Sequence, residues 1–209
     1  MTLNTIELYG GAITTVIPDG FLDVSMLREV PDTQEVYVNG RDPHSSVSND
    51  GLGYNESIII DLLQRVDVED DRMALDFHLK EIGELNGSND WRVIKYDNQF
   101  DTLLTKDAVP QTCILLETVS KWGKVNEPPQ AVVSCIGLLR LKDVTTDVLI
   151  TVNVPLDPQQ YPDENLTTPS QSLQNNNNNV SIPTRVSVAY HILQEIVKNF
   201  NVRDRSLFA

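Results

Sequence analysis

VSVAYHILQEIVKNF, residues 186–200, is the most regular pattern in the chain. Val186, Ala189, Tyr190, Leu193, Ile196, Val197 and Phe200 recur at the i, i+3, i+4, i+7 spacing of one helix face, and Pro183 stands near the start, where a missing N–H costs little. A stripe of that width must be buried against something. The runs Trp91 to Tyr96, Thr112 to Trp122, Gln130 to Leu141 and Asp147 to Val154 are rich in Val, Ile, Leu and Thr and read as strands. The turn at Lys124 to Pro129 and the short Thr145-Thr146 connection make neighbouring strands antiparallel.

Toward the N-terminus the pattern mixes. Ala12 to Ile17 and Glu35 to Asn39 read as strands bounded by Gly, Pro and Asn. Asp23 to Arg28 reads as a short capped turn, Pro31 to Gln34 as a proline turn, and residues 40–54 as a loop. Asn55 is expected to cap a helix reaching Val66, with Ile58, Ile59, Leu62, Leu63 and Val66 on its inner face. The acidic run Asp67 to Asp71 then separates it from a second helix over 72–85, marked by Met73, Phe77, Ile82 and Leu85. The expected fold is α+β: an αβα sandwich of about six largely antiparallel strands with helices on both faces. It forms a single domain over residues 1–209, in which the Asn- and Pro-rich stretch 157–183 is expected to be a mobile loop.

Length and composition agree. A chain of 209 residues with 40% hydrophobic and 22% charged residues has material for one sizeable core. Its 16 basic and 30 acidic residues give a net charge of −14, which disfavours nucleic acid and anionic membranes as partners. No apolar run approaches the roughly 20 residues of a membrane span, and the start lacks a secretory leader, so a cytosolic or nuclear location is expected. Residues 1–110 hold 21 acids and 8 bases, so the first half carries −13 of the net charge. Such asymmetry points either to solubility or to an electronegative face that attracts a basic partner.

Catalytic patterns are sparse. Gly51-Leu52-Gly53 and Gly10-Gly11 lack the context of a nucleotide cradle, and His44, His78 and His191 have no partner at metal-ligand spacing. Cys113 and Cys135 lie in strand-like runs and read as core thiols, neither a disulfide nor a nucleophile. Asp67 to Asp71 lacks the glycine and distal glutamate of a calcium loop. No catalytic residue, metal or cofactor is expected.

One block carries a resemblance: Glu7-Leu8-Tyr9-Gly10-Gly11-Ala12-Ile13, then Pro18, Gly20-Phe21, Asp23 and Ser25, then Leu27 through Val36. With Asn55 to Ile59, Asp61-Leu62-Leu63, Trp122-Gly123-Lys124, Thr146-Asp147-Val148, Asn153 to Leu156 and the terminal Ser206 to Ala209, it resembles the Ran guanine nucleotide release factor family, known as Mog-one. The resemblance implies the same αβα fold. It also implies a non-enzymatic, monomeric protein of nucleus and cytoplasm that binds the GTPase Ran, alone or with a Ran-binding protein, promotes loss of its nucleotide and supports nuclear import.

By motif position the implied Ran-binding residues are Asp23, Asp32, Glu35, Glu56 and Asp61, with Gln64 standing where the family pattern is acidic. Each has a plainer reading. Asp23 is equally placed to cap a turn, Asp32 follows a proline, and Glu56 would favour a helix N-terminus regardless of partners. Asp61, in mid-helix beside apolar neighbours, is the strongest of the set, and Arg28 is expected to brace the acidic surface internally. Two other classes stay open: an enzyme on a related sandwich, favoured by a carboxylate–histidine pair in a pocket, and a PsbP-like interaction module.

Overall fold

The structure, a computed structural model, describes residues 1–42, 50–88, 90–98, 109–119, 130–157 and 182–208. Ten strands precede or flank two helices among them. In chain order they are β1 (Leu3–Leu8), β2 (Ile13–Pro18), β3 (Phe21–Asp23), β4 (Gln34–Asn39), β5 (Ser57–Gln64), α1 (Asp71–Leu85), β6 (Trp91–Asp97), β7 (Gln111–Val119), β8 (Gln130–Leu141), β9 (Thr146–Leu156), α2 (Thr184–Asn199) and β10 (Asn201–Val202). The main sheet has seven strands in the order β3-β4-β5-β9-β8-β7-β6, every pair antiparallel, and β1, β2 and β10 form a separate small sheet.

Period-two alternation along the central strands sends side chains to two cores. On one face Val133, Cys135, Leu139 and Leu141 of β8 join Ile58 and Ile60 of β5 beneath α2 and the small sheet. On the other, Ile136 and Leu138 join Cys113, Leu115 and Leu149 beneath Ala74, Leu75 and Leu79 of α1. Helices therefore cover both faces. The helix α2 lies close to β8 at Gly137, where an added Cβ would come within 3.0 Å of the Val197 side chain. A glycine is what lets the two backbones approach.

The expected helix from Asn55 to Val66 is instead a strand. Ser57–Gln64 pairs with β4 on one side and with β9 along its whole length on the other. A continuous apolar run fits both templates, and a central strand with apolar residues on both faces shows little alternation in sequence. The β-branched triplet Ile58-Ile59-Ile60 favours the extended form. Asn55 caps nothing: its Oδ1 accepts a hydrogen bond from Arg185 at 2.9 Å.

Other expectations hold in outline. The acidic run links a strand to α1, not two helices: Asp70 caps α1 by accepting from the Met73 N–H at 2.8 Å, and Asp71 pairs with Arg140 at 3.1 Å. The strand count rises from six to ten because β5 replaces the expected helix, the short β3 joins the sheet edge, and β1 and β10 add to the small sheet. The stretch expected as a loop over 157–183, the Lys124 to Pro129 turn, Trp122-Gly123-Lys124 and His44 fall wholly or mostly outside the described residues. Among the described residues no helix is long and apolar enough to cross a membrane.

Candidate functional site

Three strands converge at one corner of the main sheet. The antiparallel register pairs Asp23 with Tyr37 and Gln34 with Asp61, so the end of β3, the start of β4 and the end of β5 lie side by side. Asp23, Asp32, Glu35, Asp61 and Gln64 gather there. Asp32 and Gln64 are exposed, while Asp23, Glu35 and Asp61 are half-buried. Alternation splits them: Glu35 points with Tyr37 toward the α2 side, and Asp61 points with Gln34 toward the α1 side. The acidic groups thus wrap around the sheet rather than line one face of it.

Each half-buried carboxylate is held by neutral donors. The Asp61 carboxylate accepts from the Gln34 amide at 2.7 Å, Glu35 from the Tyr9 N–H at 2.6 Å, and Asp23 from the Ser25 N–H at 2.8 Å. Tyr9 reaches this position through a left-handed backbone with φ of 50°, continued by Gly10 and Gly11 at φ 67° and 92°. Its hydroxyl donates to the Ile60 carbonyl at 2.8 Å, pinning the small sheet to β5.

No carboxylate of the corner makes an ion pair among the described residues. Burial pushes the Glu35 carboxyl above its ordinary value, with Asp23 adding to the effect and the Tyr9 N–H opposing it. Burial likewise raises Asp61, against the Gln34 hydrogen bond. The phenols of Tyr9 and Tyr37 are pushed up by burial first and by Glu35 next. The corner is therefore short of positive charge. Arg28, expected to brace it, is exposed and makes no ion pair among the described residues.

Glu56 is the exception and corrects the expectation. It precedes β5 at the opposite end from Gln64, five residues or about 16 Å of extended chain from Asp61. Its side chain is 1% exposed. The carboxylate pairs with Arg185 at 2.9 Å and accepts from the Gly53 N–H at 2.7 Å and the Asn39 amide at 2.9 Å. Arg185 also donates to the Pro155 carbonyl at 2.7 Å, so this cluster ties the start of α2 to β4, β5 and β9. A carboxylate enclosed by four elements holds the fold and has no surface to offer a partner.

A second constellation escaped the sequence reading. His78 of α1, 2% exposed, stands with Nε2 3.0 Å from Oδ2 of the fully buried Asp147. Arg140 reaches the other Asp147 oxygen at 3.1 Å and also donates to the Val66 and Val68 carbonyls at 2.8 and 2.6 Å. Burial alone would raise Asp147, but hydrogen bonds from His78, the Val66 N–H and Arg140 outweigh it and hold the carboxyl below its usual range. Beside His78 opens a cavity of about 380 Å³ whose rim includes Gln64. The carboxylate–histidine pair that would favour an enzyme is thus present, yet no Ser, Thr or Cys among the described residues lines this cavity to act as nucleophile. The one clue in the sequence was spacing across the β8–β9 hairpin, which sets Arg140 opposite Asp147.

Fold and corner together define an αβα sandwich, built on an antiparallel sheet, that presents uncompensated carboxylates at a strand junction. The chain belongs to the family described as Ran-interacting Mog1 protein, whose model matches residues 6–155. It is 43% identical over 209 residues to the nuclear import protein MOG1 of Saccharomyces cerevisiae, covering 100% of this chain and 86% of that protein. It is 30% identical over 154 residues to the Ran guanine nucleotide release factor of Danio rerio, covering 71% of this chain and 76% of that one. The solved structure of the Saccharomyces cerevisiae Ran-binding protein Mog1p superposes with a TM-score of 0.78 at 42% identity, with both chains fully covered. A point mutant of Mog1 gives 0.79.

Proposed function

We propose that this protein binds the GTPase Ran through the β3–β4–β5 corner and promotes release of its bound guanine nucleotide, in support of nuclear protein import. The observation that carries the reading is the set of half-buried carboxylates Asp23, Glu35 and Asp61, none paired with a cation among the described residues, with exposed Asp32 beside them. A basic surface laid on the corner supplies the missing charge. Gln64 contributes an amide in place of a charge, which still accepts a hydrogen bond.

Release then follows from linkage. A protein that binds the nucleotide-free GTPase better than the loaded form weakens nucleotide affinity by the same factor, each tenfold being about 1.4 kcal/mol. No covalent bond changes, so the protein acts by binding and not as an enzyme. It works as a monomer, alone or with a Ran-binding protein, in nucleus and cytoplasm, without a cofactor, nucleic acid or membrane.

The test is fluorescent-nucleotide release from Ran with the wild type, Asp61→Lys and Glu56→Gln. Asp61→Lys reverses a charge at the corner and is expected to lose the acceleration. Glu56→Gln, once folded, is expected to retain it. Unchanged release by Asp61→Lys rejects the corner as the site.

A further inference from the structure

Two large apolar side chains stand in water at the edge of the acidic corner. Met26 is 83% exposed and Leu27 71%, within a run, residues 25–29, that is exposed throughout. Neither packs into a hydrophobic core of the described residues. Single exposed apolar residues are ordinary on a protein surface, but an adjacent pair held on a fixed turn makes a patch.

The turn is fixed from both ends. Asp23 closes β3 at the free edge of the main sheet and caps the 3-10 turn Val24–Met26, its carboxylate accepting from the Ser25 N–H at 2.8 Å. Val24 points inward at 5% exposure, and its carbonyl accepts from the Leu27 and Arg28 N–H groups at 2.9 and 3.0 Å. An anchored backbone therefore displays Met26 and Leu27, and covering them costs little further chain entropy. The isolated fold gains nothing from apolar groups at these two positions.

The surroundings say what covers the pair. Asp23 belongs to the turn and to the corner at once: the register sets it opposite Tyr37, on the same sheet face as Glu35 two residues away. A second copy of this chain laid over the pair would bring two sets of uncompensated carboxylates together, and an anionic membrane would meet the same repulsion. A protein surface with an apolar depression rimmed by lysine or arginine matches both parts. We propose that Met26 and Leu27 are the apolar anchor of the Ran-binding surface, seated in an apolar depression of the GTPase whose basic rim meets Asp23, Asp32 and Glu35. This rests on the corner being the Ran-binding surface. Charge steers the encounter, and the apolar pair slows dissociation.

Binding kinetics of the full chain with nucleotide-free Ran test it. The double variant Met26→Ser/Leu27→Ser is expected to bind at least about tenfold more weakly, through faster dissociation. Its melting temperature and the salt dependence of its association should match the wild type, because it removes neither core nor charge. Leu27→Met keeps the apolar bulk and is expected to bind as the wild type does. Asp61→Lys, by contrast, should associate more slowly and with a weaker salt dependence. If Asp61→Lys binds weakly and the double variant binds as the wild type does, the anchor fails while the corner stands. A lowered melting temperature in the double variant, or Leu27→Met as weak as the serine variant, overturns the proposal by making the turn structural. A wild-type dimer that the double variant dissolves without change in Ran binding overturns it as well. If Asp61→Lys binds as the wild type does, or the wild type does not bind at all, the corner fails and takes the anchor with it.

Discussion

Replacing Arg185 by Met separates the two roles Glu56 was given. Arg185 is 3% exposed and donates to Glu56, Asn55 and the Pro155 carbonyl at 2.7–2.9 Å. Met fills much of the same space but leaves the Glu56 carboxylate buried with only the Gly53 N–H and the Asn39 amide. Breaking a buried ion pair from one side costs about 3–5 kcal/mol because the orphaned charge keeps its desolvation penalty. For a domain of this size each kcal/mol moves the melting temperature by about 2–4 °C, so a fall of roughly 6–20 °C is expected. Urea denaturation and calorimetry measure it, and Ran-nucleotide release at a temperature where the variant is folded should match the wild type. A variant of wild-type stability that no longer releases nucleotide would refute the reasoning, because it would place this pair at the partner surface.

Glu35→Gln is expected to be more stable than the wild type at pH 7. The folded-state value of Glu35 lies above its ordinary 4.5, so the native state binds more protons across that interval and stability falls as pH rises through it. The penalty is absent below the ordinary value and complete above the raised one. The advantage of the variant in urea midpoint should therefore shrink toward pH 4, and an advantage independent of pH would contradict it. Neither thiol should react with an alkylating reagent at pH 8 in the native protein. Cys113 is pushed up to about 12 by burial and Cys135 is raised further, both with 0% exposure. Labelling faster than global unfolding would show a reactive cysteine.

The helices and most of the sheet were legible because their periods are clean. The stripe from Val186 to Phe200 becomes α2, with Val186, Ala189, Leu193 and Ile196 fully buried, and the runs at 91–96, 130–141 and 147–154 become β6, β8 and β9 with modest changes of boundary. What failed was the stretch 55–66. Apolar residues on both faces, with Ile58 and Ile60 buried on one and Leu63 packed on the other, blur its alternation, and helix and strand templates then fit equally. That error carried into the site. As a helix residue Asp61 would have been neighbour to Ser57 and Arg65; as a strand residue it stands opposite Gln34, which no local pattern reveals. Glu56 and Arg185 are 129 positions apart, and the His78–Asp147 contact spans 69, so neither pairing leaves a trace in spacing.

The division of carboxylates between two kinds of environment has a functional consequence. Glu56 and Asp147 are buried, and each is met by an arginine within the fold. Asp23, Glu35 and Asp61 are half-buried and, among the described residues, met by neutral donors, so folding leaves these groups without a counter-charge there. Natural proteins retain such uncompensated groups at functional sites, where the missing counter-charge comes from outside. A partner arginine or lysine docked there gains more than at a fully hydrated carboxylate, since part of the desolvation has already occurred on folding. The stability gained by Glu35→Gln should therefore be matched by a loss of release activity.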